Sequence, residues 1–242
     1  MMLHQTRGIA LHATKFSETS SIVKIYTELF GLQSYIVRGV RKQNSKLKPG
    51  LFQPLILLDL VVYHKEKSSL QNLKEAYYSH PYQTIPYDIR LSSIALFVNE
   101  LIYKTIHEEE PHPELFEFLY NTCLRLDNET INIPLFHQVF ALHLTRYLGC
   151  MPQLNFSVKF QFFNLREGTF QAEMPDHPDF LDPELSRLFF KLLQAPEGTV
   201  PQIQIAATTR NSILEMILRY YHLHVSGFRE IQSHHILHTV LG

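Results

Sequence analysis

Five short β-rich stretches crowd into the first 80 residues, and beyond Pro81 and Pro86 the apolar spacing changes from alternation to a helical stripe. The stretches are Arg7–Ala13, Ser21–Phe30, Leu32–Val40, Leu55–His64 and Leu70–Tyr78, rich in Val, Ile and Tyr. Turn-prone residues separate them: Lys15 to Ser20, Gly31, and a polar loop Arg41–Gly50 closed by Pro49-Gly50. Strands this short, with no helix between them, predict a small closed or nearly closed barrel. From Asp88 onward, Ile89, Ile94, Phe97, Val98, Leu101 and Ile102 share one helical stripe. Further helices are expected over about 114–127, 134–148, 183–194, 209–224 and 233–241, with a β-hairpin around Arg166-Glu167-Gly168. The expected class is therefore α+β with two domains. Residues 1–80 form the barrel, and 81–242 form a mainly helical domain with a hairpin insertion at about 155–173.

Strand parity refines the barrel. On the second stretch Val23, Ile25 and Thr27 share one face, which leaves Lys24 and Tyr26 on the other, expected to be wet. A cation beside an exposed ring suits phosphate contact and base stacking. Tyr26, Tyr35 and Phe52 are the candidate stacking rings, although each also reads as core.

Charge separates the two regions. Residues 1–80 carry 11 Lys and Arg against 5 Asp and Glu, a formal +6; the remainder carries 11 against 18, a formal −7, returning the whole-chain −1. Arg38, Arg41, Lys42, Lys46 and Lys48 fall in one stretch without an acid. Such a cluster attracts polyanions by releasing condensed counterions from phosphates. Lys24 and Lys15 join it as weaker candidates.

Other chemistries lack their residues. There is no G-x-S-x-G elbow, no G-K-[ST] phosphate loop and no H-E-x-x-H helix. His234 and His238 can share a helical face, but histidines on amphipathic helices usually serve packing or surface, so no metal site is expected. Cys123 and Cys150 lack C-x-x-C partners and read as reduced, apolar residues. The N-terminus has no continuous apolar stretch of the secretory kind, and the run from Leu51 to Tyr63 is broken by Gln53, Pro54 and Asp59. A cytoplasmic, membrane-free, non-enzymatic protein without cofactors is expected. An RNA-binding barrel protein of translation or RNA decay is the alternative to a DNA-binding one.

The order of landmarks resembles the RecO family of bacterial recombination-mediator proteins. The matching segments are Thr6-Arg7-Gly8-Ile9-Ala10-Leu11, Ser17-Glu18-Thr19-Ser20-Ser21-Ile22-Val23, Tyr26-Thr27-Glu28-Leu29-Phe30-Gly31-Leu32 and Val37-Arg38-Gly39-Val40-Arg41-Lys42. Leu51-Phe52-Gln53-Pro54, Leu73-Lys74-Glu75-Ala76, Arg219 to His224 and Ser233 to Leu237 follow in register. The resemblance implies an OB-fold at the N-terminus and a helical C-terminal domain. It implies binding to single- and double-stranded DNA, annealing of complementary strands and a nucleoid-associated location. The implied partners are RecR, the C-terminal tail of single-stranded-DNA-binding protein and, indirectly, RecA. DNA-facing positions map onto Arg38, Arg41 and Lys42, with Lys46 and Lys48 adjoining. Many members carry four zinc-binding cysteines after a Leu-Gly segment; here Leu148-Gly149-Cys150 is followed by no paired cysteines. The expectation is that Phe160, Phe162 and Phe170 hold that region by packing instead.

Overall fold

The structure, a computed structural model, describes residues 2–41, 47–66, 68–128 and 133–242. The chain divides into two compact units, residues 1–87 with 106–127 and residues 88–105 with 128–242.

The first unit is built on strands β1 (Met2–Lys15), β2 (Ser21–Thr27), β3 (Gly31–Val37), β4 (Leu57–His64) and β5 (Gln71–Tyr78). They form a closed barrel in the order β1-β2-β3-β5-β4, with β4 returning to β1. All pairings are antiparallel except β3 with β5, a short parallel seam at Tyr35↔Gln71 and Ile36↔Asn72. The interior is filled by alternate residues, among them Ala10, Val23, Ile25, Tyr35, Val37, Leu58, Leu60, Val62 and Ala76. A 3-10 turn, Pro49–Phe52, adds Leu51 and Phe52 to that core. β1 starts five residues earlier than its apolar stretch, because Met2–Thr6 pair with Leu60–His64.

Helix α2 (Pro113–Leu126) belongs to this unit. His112 accepts the Leu115 N–H at its start, and Pro113 occupies the first turn, where a missing N–H costs nothing. Phe116 of this helix stacks on Tyr26, with ring centroids 6.2 Å apart. Arg7 of β1 lies 5.1 Å from the Phe116 ring and 4.9 Å from that of Tyr120, and its guanidinium pairs with Glu28 and Glu117. At the helix end, the Asp127 carboxylate accepts the backbone N–H groups of Gln83, Thr84 and Ile85.

The second unit holds α1 (Ile89–Thr105), α3 (Ile133–Tyr147), α4 (Pro183–Leu193), α5 (Ala207–His224) and α6 (His234–Leu241). Glu100 of α1 accepts N–H groups from Gln232 and Ser233 and the Ser233 hydroxyl, which caps the entry to α6. The expected hairpin is a three-stranded sheet, β7-β6-β8, from β6 (Phe162–Asn164), β7 (Thr169–Gln171) and β8 (Phe180–Leu181). Its core differs from expectation: Phe163 (0% exposed) and Phe170 (1%) are buried, whereas Phe160 and Phe162 are only half-buried. The reason is parity. Phe163 pairs with Phe170 across the ladder and stacks on Phe189 of α4 at 4.5 Å, so its neighbour Phe162 points to the other face. Asn155 adds a polar clamp, its amide and carbonyl groups bonding the Phe170 backbone at 2.9 and 3.0 Å.

Among the described residues, no helix is long and apolar enough to cross a membrane.

Candidate nucleic-acid interface

The basic positions gather at two places on the barrel. Arg38, exposed after β3, donates from Nη1 to Asn72 Oδ1 at 2.7 Å, which sets its guanidinium beside β5. Lys48 is exposed just before the 3-10 turn. Arg41 is exposed, and its backbone N–H reaches the Thr19 carbonyl at 3.4 Å, placing it over the β1–β2 turn that Lys15 opens. Lys15 is also exposed. Lys24 is half-buried on β2, opposite His12 of β1 and Ser34 of β3. Lys42 and Lys46 lie outside the described residues.

The expected stacking rings are elsewhere. Tyr26 is 1% exposed, Tyr35 0% and Phe52 3%. Tyr35 and Phe52 are barrel core, and Tyr26 lies under Phe116 of α2. At Tyr26 the face of β2 assigned to water is thus covered by a helix remote in sequence. Burial pushes the Tyr26 phenol well above its ordinary pKa, as expected for a ring withdrawn from solvent.

Two exposed rings stand on β5 instead, with a third, Phe16, in the β1–β2 turn. Tyr77 is 60% exposed and Tyr78 47%. They flank a groove of about 360 Å³ that also takes in Leu47, Lys48, Leu51 and Lys74. Lys74 is there because the ladder with β4 slips: Leu73 pairs with Val62 and Glu75 with Val61, so Lys74 is the extra residue of a β-bulge. Tyr77 donates its hydroxyl to Glu75 at 3.1 Å, and that carboxylate raises the phenol's pKa. A sequence signal for this pair existed. Adjacent residues on a strand face opposite ways, so two consecutive tyrosines at a strand end cannot both enter one core.

In the second unit, His234 Nε2 and His238 Nε2 lie 3.7 and 3.6 Å from Glu215 Oε1. Among the described residues no group of three or more His, Cys, Asp or Glu side chains is arranged to hold a metal ion. Cys150 without paired cysteines does not fit a four-thiolate zinc site either. Beside the small sheet, Asp179 bonds Arg219 Nε at 2.8 Å and Arg166 Nε at 2.7 Å. The two guanidinium groups, Arg219 first, hold its carboxyl down to about 2.

Residues 1–82 match the family model "Recombination protein O N terminal", and residues 86–230 match "Recombination protein O C terminal". The chain belongs to the RecO family. A DNA repair protein RecO from Bacteroides fragilis is 35% identical over 237 residues, covering 98% of each chain. Those of Flavobacterium psychrophilum and Azobacteroides pseudotrichonymphae are 34% and 33% identical, over 98% and 99% of this chain and 99% of each relative. The boundary between the two RecO family models falls at residues 82–86, in the Pro81–Pro86 segment.

Proposed function

We propose that this chain is a non-enzymatic DNA repair and recombination protein whose barrel, read as an OB-fold, binds single- and double-stranded DNA. The strand order with its parallel β3–β5 seam and the 3-10 turn plugging the core support the OB reading. The observation that carries the DNA reading is the placement of Arg38, Arg41, Lys48 and Lys74 as exposed cations around one barrel. Membership of the RecO family favours DNA as that polyanion.

Cations on a rigid barrel neutralise phosphates while leaving base edges free to pair. Screening the repulsion between strands is what annealing requires. The second unit supplies the partner surface in this reading. Partners are RecR, the acidic apolar tail of single-stranded-DNA-binding protein and, through them, RecA, which the protein helps to load. A groove between α4 and residues 203–206 combines Leu188, Ile203 and Ile205 with Arg187 and Lys191, a lining that suits such a tail.

The test is anisotropy of labelled single-stranded DNA across a salt series, comparing the wild type with Arg38→Glu/Arg41→Glu/Lys48→Glu. Each lost phosphate contact flattens the log–log slope by about 0.7. A slope unchanged by three charge reversals would move the DNA site off this barrel. Failure of the wild type to speed annealing of complementary oligonucleotides at low salt would remove the annealing activity. Tighter binding to RNA of the same sequence would favour the RNA alternative.

A further inference from the structure

Beyond the charge offered to phosphates, β5 presents a surface of a different chemistry. Tyr77 and Tyr78 leave about half or more of their area in water, while Tyr26 and Tyr35 of the same barrel are buried. The groove between them has an apolar floor from Leu47 and Leu51 and ammonium groups at Lys48 and Lys74. Its volume of about 360 Å³ is at the small end of the roughly 300–1,000 Å³ typical of ligand clefts. The bulge at Lys74 turns that side chain out of the ladder's alternation, and Arg38, just past β3, adds a third cation through its bond to Asn72 of β5. One acid enters the groove, Glu75, and it is engaged by the Tyr77 hydroxyl and lies 3.6 Å from Lys74 Nζ.

Flat apolar rings bordered by cations match a nucleotide in its two parts, a base face and a phosphate. A duplex hides its base faces in the stack; a single strand does not. We propose that this groove is a base-stacking subsite for single-stranded nucleic acid, with Tyr77 and Tyr78 taking base faces and Lys48 and Lys74 holding the adjoining phosphates. The subsite gives the protein a preference for single strands over duplex. This rests on the reading above that the barrel binds nucleic acid.

The experiment uses the full-length chain and three labelled probes: a mixed-sequence single strand, its duplex, and an abasic strand of equal length. The wild type is expected to bind the single strand tightest. Tyr77→Ala and Tyr78→Ala should each weaken single-strand binding by about 5- to 150-fold at an unchanged salt slope, because stacking releases no counterions. Duplex and abasic binding should stay as they were. Tyr77→Phe and Tyr78→Phe keep the ring and should keep the affinity, a control for folding. Lys48→Gln/Lys74→Gln should instead flatten the slope, by about 0.7 per lysine. A double Ala variant that binds the single strand as the wild type does overturns the subsite alone, as does equal wild-type affinity for the abasic strand. Failure of the wild type to bind any of the three probes overturns the nucleic-acid reading itself.

Discussion

Gly31 lies directly against the main chain of Glu110. The glycine opens β3 with φ +61°, and a Cβ there would meet the Glu110 carbonyl and stand 2.7 Å from the Glu108 carbonyl oxygen. Leu32 N–H donates to that Glu108 oxygen at 2.9 Å. The acidic run Glu108–Glu110 thus keeps its side chains in solvent while its backbone closes over the barrel turn.

Gly31→Ala meets two costs, a left-handed backbone and a collision with main chain that no rotamer can relieve. A residue forced into that conformation loses about 1–3 kcal/mol before the collision is counted. Urea unfolding should give a lower midpoint at an unchanged slope. A loss below about 0.5 kcal/mol, the range of ordinary surface changes, would contradict the contact.

Asp127 is 8% exposed and collects three backbone N–H groups as well as the Thr84 hydroxyl. Burial alone would raise its pKa, but the N–H donors of Gln83, Ile85 and Thr84 together outweigh it and hold the carboxyl below its ordinary value. A depressed folded pKa means the stabilisation is complete above the unfolded value of about 3.9 and is lost as pH falls through the folded one. Asp127→Ala should cost on the order of 3 kcal/mol near neutrality. The gap between variant and wild type, followed by urea unfolding at several pH values, should narrow below about pH 4.

Arg7→Lys separates the guanidinium's geometry from its charge. Lysine keeps the charge near Glu28 and Glu117 but cannot reproduce the paired Nε and Nη2 bonds to Glu28 at 2.9 and 2.8 Å, nor set a planar guanidinium over the Phe116 and Tyr120 rings. A loss of about 2 kcal/mol is expected. Equal stability of Arg7→Lys and wild type by thermal melting would reduce the site to a simple ion pair.

Phe163→Ala should be among the costlier changes in the second unit, about 3–5 kcal/mol, because the ring is fully buried among Phe170, Phe189 and Tyr220. Phe160→Ala, at a half-buried position, should cost much less. Chemical denaturation of the two variants side by side decides which ring the small sheet depends on.

Much of this fold was legible in the residues. Gly31 and Pro49-Gly50 interrupt the β-rich run where the structure turns, and Pro113 and Pro183 stand in the first turns of α2 and α4. What escaped depends on partners distant in the chain. Tyr26 looked wet because parity assigns it to the outer face, and nothing local announces that Phe116 will cover that face. The bulge at Lys74 is a property of two strands together, so β5 read alone gives no sign of it. Phe162 and Phe163 are equally apolar; only the register with Phe170 and Leu181 decides which one goes in. The basic stretch was visible from composition, whereas its partition between the β1–β2 turn and β5 follows from the hydrogen bonds of Arg41 and Arg38.

The first unit is completed only by residues 106–127, after the chain has passed through α1 of the second. During synthesis the barrel strands therefore emerge well before the helix that covers Tyr26 and the carboxylates that Arg7 and the Gln83–Ile85 amides await. A nascent chain halted near residue 82 would carry every barrel strand and still expose the Tyr26 ring, a natural handle for a chaperone. For the same reason, an expression fragment cut at the end of the barrel is a poor stand-in for the intact unit.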